Sequence, residues 1–372
     1  MAKATLPRRE FLQLAKVYNP DNLKIGVGGY FISEKLDGSR CFWDGGISRG
    51  MYTNAVPYAS ITNPKTGLRK AKIKPVATGL WSRYGNPIMA PEWFLDSLPA
   101  TMLDGELFAG RGKFQLCRSI CAGDRPDPRF DQITFACYSA PPLGRMFLPG
   151  EIKNTNFHCM LSASVLQWVR QQMPGGFVSL DEGSTFADEY RWLQEVLNGS
   201  KHAVAHRQFT LASDDEHARE EIEEYIEEVL GKGGEGVIIR DPKAVWTPKR
   251  VNALLKHKPY FDSEGIITGF TSGRKTDKGS KHLGKIGALI LSVDTLVARG
   301  KRLELSGLTD EERLFETRDM SEVASRHPGE DMSASFQGKH FKVGQTVTFK
   351  YRELSDAGVP KEARFWRKRD VE

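Results

Sequence analysis

The chain has 372 residues, 40% of them hydrophobic, and a net charge of +6. That length suits two or three domains with ordinary packed cores. No apolar run approaches the length of a membrane span, so the expectation is a soluble, monomeric protein of the cytoplasm, or of a host cytoplasm if viral, with no membrane partner. The charge is unevenly spread. Residues 1–80 carry 13 Lys and Arg against 5 Asp and Glu, and residues 181–230 carry 4 against 14. Segregated charge of this kind suits a protein that turns a basic side to a polyanion. Cys41, Cys117, Cys121, Cys137 and Cys159 are odd in number and scattered, which argues against a disulfide framework. Cys117 and Cys121 lack a second pair at zinc spacing and read as buried thiols.

In chain order, "YFISEKLDGSR" reads as a short strand that enters a turn at Asp37-Gly38. Residues 48–80 carry Asn-Pro, Lys-Pro and no acidic residue from 51 to 80, and within them "NPKTGLRKAKIKP" reads as a basic loop or hairpin. "APEWFLDSLP" suggests a short helix between prolines, and "MLDGELFAG" a second strand around an Asp-Gly pair. The clearest helix is "DDEHAREEIEEYIEEVLGKGGEG". Asp214 or Asp215 caps it, Ile222, Tyr225, Ile226, Val229 and Leu230 form its apolar stripe, and Gly231 ends it. "EGVIIR" and "ALLKHKP" follow as strands. From about residue 260, short strand-like runs alternate with Gly-rich turns, which suggests a small all-β barrel.

Several residues point to chemistry. A lysine becomes a nucleophile when neighbouring cations or desolvation lower its pKa. Lys35 sits at a strand end beside Asp37-Gly38, and Arg40 beyond it can hold a phosphate; an ordinary surface turn is the alternative. Asp104-Gly105-Glu106 supplies a carboxylate at a second strand. Glu235 follows a Gly-Lys-Gly-Gly run, and Lys256 and Lys258, two apart in an apolar strand, share one face while Leu255 and His257 face away. Cations for phosphates and carboxylates for a divalent metal are what phosphoryl or nucleotidyl transfer requires.

With these motifs in their order, the chain resembles the ATP-dependent DNA ligases of the covalent nucleotidyltransferase superfamily, over roughly Tyr30 to Asp370. The small viral and bacterial members are most similar, through "SRYGNPIMAPEWF" and "LSGLTDEER". The resemblance implies that Lys35 in "SEKLDGSR" becomes linked to AMP. It implies that Glu106 in "LDGEL" lies near the ribose and metal, that Glu235 in "EGVIIR" is a metal carboxylate, and that Lys256 and Lys258 bind the α-phosphate. Ser33 would read the adenine edge, Glu34 would point to the other strand face, and Arg40 would serve both the nucleotide and the DNA. Two stretches compete for a Ser-Arg-x-Gly motif. Ser48-Arg49-Gly50 lacks the spacer residue, whereas Ser82-Arg83-Tyr84-Gly85 has it, so Arg83 is favoured for the nick phosphate. Residues 48–80 are then an insertion. Its Lys65, Arg69, Lys70, Lys72 and Lys74 either face DNA or are simply solvated.

The sequence departs from the family where an aromatic-Asp pair is usual. Tyr138 aligns with the ring that stacks on adenine, but Ser139 stands in the place of Asp, and Phe135 reads equally well as a core residue. Near the C-terminus, Arg369 and Asp370 occupy the place of the last motif, and a plain basic tail reads nearly as well. The expected fold is α+β. An adenylation domain over residues 1–258, with antiparallel-rich sheets and helices, precedes an OB-fold domain over 259–372. The implied reaction is ATP- and Mg²⁺-dependent sealing of nicked duplex DNA. The alternatives are an RNA ligase, a capping-type nucleotidyltransferase, or a non-catalytic nucleic-acid-binding OB protein.

Overall fold

A computed structural model describes residues 12–22, 24–59, 76–147, 163–275, 281–293, 302–332, 335–355 and 358–368. The chain divides into two compact units between His257 and Lys258. The N-terminal unit contains ten described strands: β1 (Leu14–Val17), β2 (Phe31–Glu34), β3 (Ser39–Asp44), β4 (Leu80–Ser82), β5 (Met102–Phe108), β6 (Thr134–Ser139), β7 (Ala203–Ala205), β8 (Phe209–Thr210), β9 (Val237–Arg240) and β10 (Arg250–His257). They form two five-stranded sheets, ordered β1-β10-β9-β2-β8 and β4-β3-β5-β6-β7. Both are antiparallel apart from one parallel pair each, β1 with β10 and β6 with β7.

The alternation of strand side chains builds the layers. In β3, Cys41 and Trp43 enter one core cluster while Phe42 enters another on the opposite face. In β5, Leu103 and Leu107 join the first cluster, which leaves Asp104 and Glu106 on the other face. In the first sheet, Ile32, Val237, Ile239 and Leu255 pack with Ile222, Ile226 and Val229 of the helix Asp215–Gly231. Asp214 caps that helix by accepting from the His217 N–H at 3.0 Å. Asp215 instead accepts from the amides of Val27 and Gly28 and ties the loop before β2 to the helix start.

The Asp37-Gly38 pair is not a hairpin turn. β2 and β3 belong to different sheets, so residues 35–38 cross from one sheet to the other. Gly38 is needed for space. A Cβ there would lie 2.3 Å from the Leu107 carbonyl oxygen and 2.8 Å from Glu106 Cγ. The segment after β3 is packed into the core. Ile47, Val56, Tyr58 and Ala59 are core residues. They are fastened by the buried Asp44 carboxylate, which accepts from the Ser48 hydroxyl, the Tyr58 hydroxyl at 2.8 Å and Trp81 Nε1 at 3.0 Å. Lys65, Arg69, Lys70, Lys72 and Lys74 lie outside the described residues, as do Cys159, Arg369 and Asp370. The four described cysteines are buried free thiols.

The C-terminal unit holds β11 (Phe261–Ser272), β12 (Ile286–Ser292), β13 (Arg302–Leu305), β14 (Thr346–Tyr351), β15 (Glu353–Leu354), β16 (Pro360–Lys361) and β17 (Arg364–Lys368). Five of these make an antiparallel sheet, β13-β12-β11-β14-β17. A bridge between Ser306 and Arg364 joins the chain after β13 to β17, at the opposite edge of the sheet. Ile267, Phe270, Leu289, Phe341 and Phe349 fill its interior. Among the described residues, no helix is long and apolar enough to cross a membrane.

Asp44→Ala leaves the Tyr58 hydroxyl without its carboxylate and takes one of two acceptors from Trp81 Nε1. Buried donors stripped of a charged partner cost about 1–3 kcal/mol each, so the variant is expected to lose about 3 kcal/mol. Urea unfolding followed by tryptophan fluorescence measures this; a loss below about 0.5 kcal/mol would show that the carboxylate does not fasten the segment.

Candidate active site

A cavity of about 220 Å³ opens between the two sheets of the N-terminal unit. Three residues in register form one row of its wall: Ser33 of β2 pairs with Ile238 of β9, which pairs with Lys256 of β10. Arg240 and Leu254 form the next row. Arg40, Glu106 and Tyr138 come from the second sheet, and Lys35 and Leu36 from the crossing segment. Arg83, which follows β4, and His206 and Gln208, between β7 and β8, complete the lining on this side.

The crossing places Lys35. Its backbone N–H donates to the Gly236 carbonyl at 2.8 Å. Its ammonium forms an ion pair with Glu235, and the two side chains are 23% and 9% exposed. The Glu34 carboxylate points to the long-helix side of β2 and takes two hydrogen bonds from Arg111, both at 2.7 Å; its backbone borders the cavity. Glu106 lies opposite Arg40 in register. Burial pushes its carboxyl up to about 7, against the opposing pull of Lys35 and Arg40.

Arg40 makes a bidentate pair with Asp104 at 2.6 Å and donates to the Gln13 carbonyl at 3.2 Å. Burial alone would lower its pKa; Asp104 outweighs this and holds the guanidinium above its ordinary value. Tyr138 is the extra residue of a β-bulge, since Asp104 pairs with Ser139 and Gly105 with Cys137. Its ring lies beneath two guanidiniums, Arg40 at 4.8 Å and Arg240 at 5.7 Å. Arg240 also donates to the Tyr138 carbonyl at 3.0 Å and stacks on Phe186 at 3.9 Å. Burial lowers Arg240 to about 10, opposed by Glu189. Glu189, itself buried, accepts from the Ser139 hydroxyl and from the Ala140 N–H at 3.0 Å. Burial raises Glu189 to about 7.

The structure thus gathers Ser33, Lys35, Arg40, Arg83, Glu106, Tyr138 and Lys256 around one space and joins Glu235 to it through Lys35. Lys258 lies just past β10. Strand β10 ends at His257, and Lys258 falls in the C-terminal unit, where its carbonyl accepts from Arg352. Arg49, the competitor of Arg83, instead pairs with Glu92 and with Asp96, the latter at 2.7 Å. Phe135 is a core residue. Sequence reasoning named Asp104 only beside Glu106 and missed Glu189, His206 and Arg240. The alternation of β5 and β9 was enough to place Asp104 beside Glu106 and Arg240 beside Ile238; Glu189 and His206 come from distant segments with no local signal. Among the described residues no three His, Cys, Asp or Glu side chains group to hold a metal unaided. Mg²⁺ is commonly held by one or two carboxylates with substrate phosphates completing the shell, and Glu106 and Glu235 fit that donor set.

Residues 278–369 match the DNA ligase OB-like domain family. Over nearly its full length the chain is similar to a solved structure from a structure-function study of Lig E DNA ligases. The identity is 24%, the match covers 96% of this chain and 98% of that one, and the TM-score is 0.61. The chain has the DNA ligase fold. A further structure, described as Pmar-Lig_PreS3, is 17% identical with a TM-score of 0.56, covering 96% of this chain and 67% of that one. A curated DNA ligase of Haemophilus influenzae is 20% identical over 359 residues, 96% of this chain and 92% of its own. Within the ligase fold, the cavity lies in the N-terminal unit and is bordered by strands β2, β3, β5, β9 and β10.

The raised carboxyl of Glu189 has a consequence for stability. The folded state keeps this proton to about pH 7, whereas an unfolded glutamate loses it near pH 4.5. Its contribution is therefore fully present below about pH 4.5 and is lost as pH rises through 7. Glu189→Gln keeps a polar side chain without the charge. Relative to the wild type, it is expected to gain stability between pH 5 and pH 8. Urea midpoints at the two pH values measure this, and an unchanged difference would show that Glu189 is ionised in the folded state throughout.

Proposed function

We infer that the chain is a DNA ligase that seals nicked duplex DNA with ATP as its nucleotide. The observation that carries this reading is the Lys35–Glu235 ion pair at the edge of a cavity lined by Arg40, Arg83, Glu106 and Lys256. Residues 1–258 would act as the adenylation domain and 259–372 as the OB-fold domain. ATP is preferred to a dinucleotide cofactor because the cysteines lack the zinc spacing of the NAD-dependent enzymes.

In the first step Lys35 Nζ, freed of its proton, attacks the α-phosphate of ATP. An N–P bond forms, the P–O bond to pyrophosphate breaks, and pyrophosphate leaves. Glu235 holds the amine in place and can accept its proton. Lys256 and Arg40 supply positive charge to phosphate oxygens, an electrostatic role that positioned cations fill well in a partly buried site. Glu106 and Glu235 would hold Mg²⁺, which would supply further charge stabilisation. AMP then passes to the 5′-phosphate at the nick, and the 3′-hydroxyl displaces it to close the phosphodiester. Arg83 and the basic residues Lys65, Arg69, Lys70, Lys72 and Lys74 would meet the DNA backbone, Lys258 would join Lys256 on the α-phosphate, and Arg369 and Asp370 would orient the leaving pyrophosphate.

Lys35→Ala is expected to abolish the covalent enzyme–AMP adduct formed with labelled ATP. It should still seal a nick that already carries AMP on its 5′ end. Glu235→Ala is expected to slow adduct formation by about a hundredfold, the usual effect of removing one positioned charge. A labelled Lys35→Ala protein would remove Lys35 from the reaction.

A further inference from the structure

One cavity side chain outside the ligase motifs is held from both sheets at once. The backbone N–H of His206 donates to the Cys137 carbonyl at 2.7 Å, one residue before Tyr138. Its ring Nε2 lies 2.8 Å from the Glu34 carbonyl oxygen, one residue before Lys35. His206 therefore spans the gap between the strand that carries the aromatic ring and the strand that leads to the nucleophile. A carbonyl oxygen can only accept, so Nε2 bears the proton. Burial lowers the His206 pKa below its ordinary value, and the ring is neutral near pH 7. In the neutral ring the remaining nitrogen, Nδ1, is an acceptor. The ring lines the cavity together with Ser33, Tyr138, Gln208 and Ile238. Gln208 holds the His206 backbone in turn, donating to its carbonyl at 3.1 Å.

Tyr138 and His206 line the same cavity and are tied through Cys137, so a base seated against Tyr138 would share that space with this imidazole. We propose that His206 is a specificity-determining residue whose Nδ1 accepts a hydrogen bond from the exocyclic amine of adenine. A purine with hydrogen at that position gives no donor. One with oxygen there sets two acceptors face to face, which a site built around a hydrogen bond rejects more strongly than a missing methyl group. This role rests on the ATP-dependent reaction inferred above.

The test compares kcat/KM for covalent adduct formation with ATP and with purine ribonucleoside 5′-triphosphate, which lacks only the amine. The wild type, His206→Leu and His206→Gln are measured. The wild type is expected to prefer ATP by about tenfold, the effect of one well-placed hydrogen bond. His206→Leu lowers that preference to about twofold or less. His206→Gln, whose amide can donate to Glu34 and accept from the base, keeps most of it. A general loss of positioning would slow both nucleotides equally and leave the ratio intact. A wild-type ratio near one overturns the proposal whether or not the leucine variant folds, and so does a leucine variant that retains the wild-type ratio. If the wild type forms no adduct with ATP, the reaction itself has been misread and the role of His206 falls with it. An adduct with an unaltered ratio removes the role of His206 alone.

Discussion

The site depends on a chain crossing. Residues 35–38 leave one sheet at Glu34 and enter the other at Ser39. Lys35 is therefore presented in the gap between two rigid layers instead of on a flexible turn. The crossing is tight enough that Gly38 has no room for a side chain against Leu107 and Glu106. Lys35 is fixed at its backbone by Gly236 and at its ammonium by Glu235, both from the start of the strand paired with β2. The position of the amine thus follows from sheet pairing, which is hard to deform without unfolding the unit. Pre-set geometry of this kind is where much of the rate of group transfer originates.

The charges around the crossing are arranged in two tiers. Lys35, Arg40, Arg240 and Lys256 border the cavity. Behind them, Asp104 and Glu189 are buried and hold the arginines or their neighbours by hydrogen bonds and field. A buried carboxylate is costly unless paired or hydrogen-bonded, and both are satisfied. The outer tier can then present positive charge to phosphates, while the inner one holds Arg40 on Asp104 and sets a balancing negative charge near Arg240. Tyr138 sits where the tiers meet, raised out of the ladder by its bulge and covered by two guanidiniums. Ser139, which departs from the family pattern, is the residue that passes the Glu189 carboxylate its hydrogen bond.

Much of this was legible in the sequence because it is local. Lys35, Glu106, Glu235 and Lys256 lie in short stretches whose residue types suit phosphoryl chemistry, and the long helix has its cap and stripe in one continuous run. The failures have physical causes. A glycine reports that something forbids a Cβ, but not whether a turn or a neighbouring backbone does so; at Gly38 it is the neighbour. Asp44 fastens residues 48–59 into the core through Ser48 and Tyr58 from outside the segment. His206 and Glu189 reach the site through contacts about 170 and 50 residues away in sequence, and no local pattern encodes such contacts.

The central claim is that Lys35 is the residue that carries the nucleotide. Incubation of the intact chain with ATP, followed by proteolysis and mass spectrometry under conditions that preserve phosphoramidates, tests it directly. The account predicts AMP on the peptide that contains Lys35, attached at Nζ and at no other lysine. An adduct on Lys256 or another lysine with Lys35 unmodified, or no adduct at all, would contradict it.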